Sequence, residues 1–329
     1  FSNRIATIYL PDRKRPMLPT VLSDALCSLQ ENRTRFAFTL DICYDTKALT
    51  IINYKFSNSV IKVTKNMRYD TEEQENNEMY NNLKNFINRI NKKKKYKYID
   101  SIETSHEVIA YLMILMNYIS AKEMKSKKVG IYRSAKYNNQ STYNPPEKAS
   151  VKVKKFLRMW RSSGGSYVKY ENIEGHEILD LDAYVHITSP IRRLVDLLNI
   201  IQFQDILQLS TLNENSSLFY SRWTNDAAFE YINLTMRSIR KVQNDCSLLK
   251  LCSDNKELMD IYHSGFIFDK IIRNDALFQY MVYLPKINMV NRYTSRFDID
   301  NMTMQRFKIY LFQDEVNLKR KIRLEQITD

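Results

Sequence analysis

The stretch Thr188-Ser189-Pro190-Ile191-Arg192-Arg193, with Asp196 close behind, has residue types and spacing suited to work on a phosphate. Tyr184, His186 and Thr188 alternate with Val185 and Ile187, which is the period of a strand. Ser189 then stands at an N-cap position and Pro190 at the first helical position, where a missing N–H costs nothing. Arg192 and Arg193 fall in the first turn, beside the positive end of the helix dipole, which disfavours cations. The same place suits an anion, because free backbone N–H groups and two guanidinium forks converge on it. Asp196, four residues after Arg192, is spaced to hold that guanidinium. An ordinary capped helix carrying surface arginines accounts for this pattern equally well.

The elements that must position these residues are read from periodicity. Residues 33–43 and 48–55 alternate as two strands around a polar turn, and 60–63 continue the sheet. Residues 71–98 turn polar and helical. They end in a lysine–tyrosine run at 91–98 that fits a solvated helix end or a nucleic-acid patch with stacking faces. Residues 105–125 form a helix that is apolar nearly all round, which places it inside the core. Residues 137–150 read as a loop, and 152–160 as a helix with Val153, Phe156, Leu157 and Trp160 inward, broken at 162–166. Long helices are expected over 191–209 and 227–251, the second with Arg237, Arg240, Lys241 and Lys250 on one face. From Gly265 onward, short runs at 266–272, 277–284, 305–313 and 319–324 suggest a small barrel.

Composition narrows the class. A chain of 329 residues can bury a large core, and a net charge of +13 points to a polyanion, nucleic acid before an anionic membrane surface. No apolar run approaches the roughly 18 residues of a membrane span, so no membrane partner is expected. Cys27, Cys43, Cys246 and Cys252 form no paired or metal-ligating spacing and read as reduced thiols of an intracellular, cytoplasmic protein. The first residue is Phe1, which implies a cut or processed end. Asn-, Lys- and Ile-rich wording suits an AT-rich genome, viral or protist.

Three segments in order resemble the RNB family of exoribonucleases, the ribonuclease II, ribonuclease R and exosome catalytic subunit type. They are residues 184–196, residues 9–38 (YLPDRKRPMLPTVLSDALCSLQENRTRFAF), and the helix carrying Met113, Leu115 and Asn117. The resemblance implies an α+β fold: a mixed sheet with packed helices over residues 1–254, then an OB-type RNA-binding barrel over 255–329. It implies cleavage of single-stranded RNA from the 3′ end by magnesium-activated water, with magnesium on an aspartate cluster that the family carries ahead of its YL-D-R segment. That segment begins here at Tyr9, and no Asp-x-Asp-Asp pattern follows it, so no metal ligand is expected within this chain. Position by position, Arg192 matches the arginine on the scissile phosphate. Arg193, His186, Tyr184 and Arg133 would line the RNA path, with Ser189, Pro190 and Asp196 as support. Departures accumulate at Leu194, Ile200, Ala110, Tyr111, Ile178 and Ala135, where the family carries other residues. Two readings follow: an exoribonuclease whose aspartates lie upstream, or an inactive RNB-derived component that binds RNA or serves a larger assembly.

Overall fold

A computed structural model describes residues 3–93, 99, 101–135, 146, 149–163, 165–177, 179–314, 316 and 319–327. Most of the lysine–tyrosine run at 91–98, most of the loop at 137–150, and Ile178 lie outside the described residues. In chain order the strands and helices are β1 (Ile8–Tyr9), β2 (Lys14–Arg15), β3 (Thr34–Asp45), β4 (Thr50–Lys62), α1 (Glu72–Glu75), α2 (Glu78–Lys93) and α3 (Ser105–Ser126). Then come β5 (Ile131–Ser134), α4 (Val151–Ser163), β6 (Ser166–Lys169), α5 (Leu194–Ile206), α6 (Glu214–Trp223) and α7 (Asp226–Asp254). Five strands end the chain: β7 (His263–Ile272), β8 (Phe278–Leu284), β9 (Met289–Ser295), β10 (Met304–Asp314) and β11 (Lys319–Gln326). They form an α+β chain in two compact units. One holds residues 1–7, 16–137 and 164–235, the other 8–15, 138–163 and 236–329.

The first unit is organised around α3. Thr104 caps it, accepting from the Glu107 N–H at 3.4 Å while the Glu107 carboxylate accepts from the Thr104 N–H at 2.8 Å, a reciprocal capping box. Val108, Tyr111, Leu115, Ile119, Ala121 and Met124 are all buried, as a helix apolar on every side requires. The β3–β4 hairpin pairs antiparallel from Thr34/Lys62 to Asp45/Thr50 and turns Phe38, Leu40, Ile42 and Tyr44 toward this core. Its turn is tied by the Asp45 carboxylate, which accepts from the Lys47 and Ala48 N–H groups at 2.8 Å each. Phe56 meets Phe203 of α5 edge-on at 4.7 Å. The helix expected over 71–98 breaks at Asn76–Asn77 into α1 and α2, because the Asn77 carboxamide accepts from the Tyr80 N–H and starts a new turn.

The second unit contains an antiparallel sheet in the order β11-β10-β7-β8-β9. Its edge strands β9 and β11 approach each other, so the sheet curls around a core of Ile267, Tyr280, Val282, Leu284, Phe307, Ile309 and Leu324, closed at one end by Leu248 and Cys252 of α7. The sequence reading named four of these strands and missed β9. Its inward row runs Met289, Asn291, Tyr293, and the polar Asn291 breaks the apolar alternation. Helix α4 lays Val153, Phe156, Leu157 and Trp160 on the sheet's outer side. On the inner side, Gly265 leaves room for the core: a Cβ there would stand 2.5 Å from Phe307 and 2.7 Å from Val282. Gly265→Ala should therefore overpack the barrel and cost roughly 1–3 kcal/mol. Urea unfolding read by tyrosine fluorescence checks this, and an unchanged midpoint would mean that the strands part freely.

Candidate functional site: an arginine turn held by buried amides

Residues 184–189 do not form the expected strand. Tyr184, Val185, Ile187 and Ser189 are buried, and the only bridge within the segment among the described residues joins Val185 to Tyr132. A buried backbone outside a ladder must find its partners elsewhere, and here three side chains supply them. The Asn117 carboxamide accepts from the Ile187 N–H at 3.0 Å and donates to the Tyr184 hydroxyl at 2.9 Å. Asn199 donates to the His186 carbonyl at 3.0 Å and to the Ile131 carbonyl at 2.9 Å, and accepts from the Ile131 N–H at 2.8 Å. The Asp196 carboxylate accepts from the Ser189 N–H at 2.8 Å. The Arg133 N–H of β5 donates to the Tyr184 carbonyl at 2.7 Å.

The expected capped helix start is also corrected. Ser189 is not an N-cap and Pro190 is not a first helical residue. The Ser189 carbonyl accepts from the N–H groups of Arg192 at 3.1 Å and Arg193 at 3.0 Å, which puts Pro190 at the second position of a turn. Proline's fixed φ suits both roles, so the local sequence does not separate them. Long-range pairing decides. The Thr7 N–H donates to the Arg192 carbonyl at 3.0 Å and the Leu194 N–H to the Ile5 carbonyl at 2.8 Å, holding Arg193 extended until α5 begins at Leu194.

Asp196 grips a different arginine from the one expected. Its Oδ1 meets Arg193 Nη2 at 2.8 Å, three residues away on the chain, with the carboxylate wholly buried. Burial pushes this carboxyl up from the ordinary range, against the pull of Arg193 and the Ser189 N–H. Arg192 is exposed and makes no ion pair or side-chain hydrogen bond among the described residues. The turn thus presents one guanidinium outward and keeps its neighbour as an internal brace.

The remaining expected residues lie around this brace. Tyr184 stands between His176 and His186, with ring centroids at 5.1 and 5.6 Å. His186 Nδ1 and the Tyr167 hydroxyl are 2.8 Å apart, and the Arg133 guanidinium lies 5.1 Å over the Tyr167 ring. Burial, then Arg193, Arg133, His176 and Arg192, hold His186 well below the usual imidazole value, so it is neutral at pH 7. Burial and Arg133 bring His176 down to about 4. Asn199, Tyr167 and His176 were missed in the sequence. For Asn199 the signal was a carboxamide one turn beyond Asp196 on an otherwise apolar helix face. Several departures from the family pattern are packing residues: Leu194 and Tyr111 are buried, and Ile200 packs against the α3 core.

Magnesium does not fit the residues gathered here. It asks for several oxygen ligands, chiefly carboxylates. Asp196 is engaged by Arg193 and Ser189, and Asp182 is paired with Lys125 at 2.8 Å. Among the described residues no group of three His, Cys, Asp or Glu could hold a metal ion, and no helix is long and apolar enough to cross a membrane.

The mixed helix–sheet body and the five-stranded barrel agree with what comparison finds. The chain belongs to the RNB family: the model described as RNB domain matches residues 1–82 and 70–209. It is 26% identical over 263 residues to Ribonuclease R of Chlamydia pneumoniae, covering 60% of this chain and 38% of that protein. It superposes on Mycoplasma genitalium RNase R in complex with double-stranded RNA with a TM-score of 0.66 at 17% identity, over 99% of this chain and 66% of that one. It also superposes on yeast Ssd1, a pseudonuclease, with a TM-score of 0.64 at 13% identity, over 89% of this chain and 43% of that one. The fold is thus RNase R-like, and the chain spans less than two thirds of the length of these proteins.

The histidine environment sets a pH response. The folded His176 value of about 4 lies below the ordinary value near 6.5, so the unfolded chain takes up a proton that the folded chain refuses. Its contribution is full above pH ~6.5 and falls by on the order of 3 kcal/mol as pH drops toward ~4. Urea unfolding at pH ~7.5 and ~5 should show the loss, and His176→Gln should flatten it. Equal pH slopes for parent and variant would contradict the burial argument.

Proposed function

We propose that this chain is the RNA-gripping body of an RNB-type 3′→5′ hydrolytic exoribonuclease acting on single-stranded RNA. The observation that carries the proposal is the exposed Arg192 guanidinium on a turn whose backbone is anchored by buried partners. In this reading Arg192 lies on the scissile phosphate and offsets charge developing on its nonbridging oxygens. Arg193 fixes the turn through Asp196. Tyr184, His186 and Arg133 line and position the RNA path, and Ser189 and Pro190 shape the turn. Residues 1–254 act as the RNB-like domain and 255–329 as the OB-type barrel. Net charge of +13 favours such a ligand, and the structural relative from Mycoplasma genitalium has been solved with RNA. The reaction requires magnesium on carboxylates, and the described residues gather no such group, so this reading has them supplied from elsewhere.

A second reading has its own support. Leu194, Tyr111 and Ile200 have become packing residues where the family resemblance leads one to expect polar ones, and a pseudonuclease shares the fold. In that reading the chain binds RNA without cutting it, within a larger assembly.

Residues 1–329 should bind a 5′-labelled oligoribonucleotide without degrading it in magnesium. Arg192→Ala should weaken binding by roughly 1.5–3 kcal/mol, as for a charged hydrogen bond, and lower the salt slope by about 1. A shortening ladder from a longer protein that adds an aspartate cluster ahead of Tyr9 would establish the exoribonuclease. A ladder from residues 1–329 alone would show that a metal site exists elsewhere, and no ladder from either would favour the inactive component.

A further inference from the structure

The barrel has two outward faces, and they are treated differently. An OB fold commonly takes oligonucleotides on its second and third strands and the loops beside them. Those strands are β8 and β9 here, and α4 lies over their outward side. Met281, Tyr283 and Val290 pack with Val153, Leu157, Phe156 and Trp160. Phe156 lies flat on Tyr283, ring centroids 3.7 Å apart and planes within 4°, where a base would otherwise stack. Trp160 meets Phe268 edge-on at 5.3 Å and donates from Nε1 to Asp269 at 2.6 Å, which ties the helix down.

The outer side of β10 and β11 has another character. Phe307, Ile309 and Leu324 point into the core, so Arg306, Lys308, Tyr310 and Phe312 alternate outward, with Arg323 opposite Tyr310 and Lys321 opposite Phe312. A cation covers a ring three times on this face: Arg306 over Tyr262 at 4.9 Å, Lys308 over Tyr310 at 5.6 Å and Arg323 over Phe312 at 5.0 Å. Tyr262 and Tyr310 remain 55% and 39% exposed. Glu325 stands opposite Lys308, and Asp314 falls at the end of the same row in the register. Cations and half-exposed rings in alternation complement a polyanion that also offers flat bases.

We infer that the barrel holds single-stranded RNA on the outer face of β10–β11, with phosphates on Arg306, Lys308 and Arg323 and bases on Tyr262, Tyr310 and Phe312. The inference rests on RNA as the ligand proposed above and adds which barrel face receives it. The cation–ring pairs keep both partners ordered before binding, which lowers the ordering cost when a base slides over the ring.

The test uses the whole chain and a fluorescein-labelled oligouridylate, read by anisotropy at about 50 and 200 mM salt. Lys308→Glu/Arg323→Glu should weaken binding by about tenfold or more at low salt and flatten the salt slope. Tyr310→Ala/Phe312→Ala should weaken it by roughly 5- to 100-fold, with the loss persisting at high salt because stacking is not screened. Circular dichroism checks each fold, and the charge variant decides if the ring variant does not fold. An oligonucleotide carrying 5-iodouridine should photocrosslink to the peptides of 304–314. Barrel variants that bind like the parent, or crosslinks confined to β8 and β9, would overturn the inference. If Arg192→Ala still weakens binding in that case, the Arg192 reading survives alone. If the parent binds no oligouridylate, both readings fail.

Discussion

Everything at the arginine turn depends on one constraint: residues 184–189 run through the interior without a strand ladder, and their peptide groups still need partners. Asn117 from α3, and Asn199 and Asp196 from α5, meet that need from two helices, at 2.8–3.0 Å. A carboxamide can donate and accept at once, which is why Asn199 closes both the Ile131 peptide and the His186 carbonyl. Losing Asn199 would take the partner from three buried peptide atoms, each at about 1–3 kcal/mol. The rigidity has a functional side, because a guanidinium that must meet one phosphate oxygen gains from a backbone that does not move.

The paired arginines divide their labour by environment. Arg193 is drawn onto a wholly buried carboxylate, and a charge so placed needs its partner. Arg192 projects outward from the neighbouring position. The histidines beside them are kept neutral by burial and by the guanidinium charge. They therefore add ring surface and hydrogen bonds to the site and leave its charge to the arginines.

Much of this architecture was legible in the sequence because local patterns carried it. Helix α3 was visible in its apolar circumference, the β3–β4 hairpin in its alternation, and most of the barrel in short alternating runs. The turn at Ser189-Pro190 was misread because proline's preference is the same for a first helical residue and for a turn's second residue. What separates them is pairing between Ile5–Thr7 and Arg192–Leu194, nearly the whole first unit apart on the chain. Asp196 was assigned to the wrong arginine for a related reason: spacings of three and four are both within reach on a helix, and here Arg193 precedes the helix in extended backbone. The inward face of α4 was legible at Phe156 and Trp160, but the sheet surface awaiting it was not, since periodicity shows that a face is buried and not against what.

The central claim is that a segment without regular secondary structure is held as firmly as the core. Native-state hydrogen exchange at the Ile187 and Ser189 amides tests it most directly. Both should exchange only with global unfolding, alongside the α3 amides, because their acceptors Asn117 and Asp196 are buried and fixed. Exchange of these two amides on the timescale of surface loops, with α3 still protected, would contradict the account.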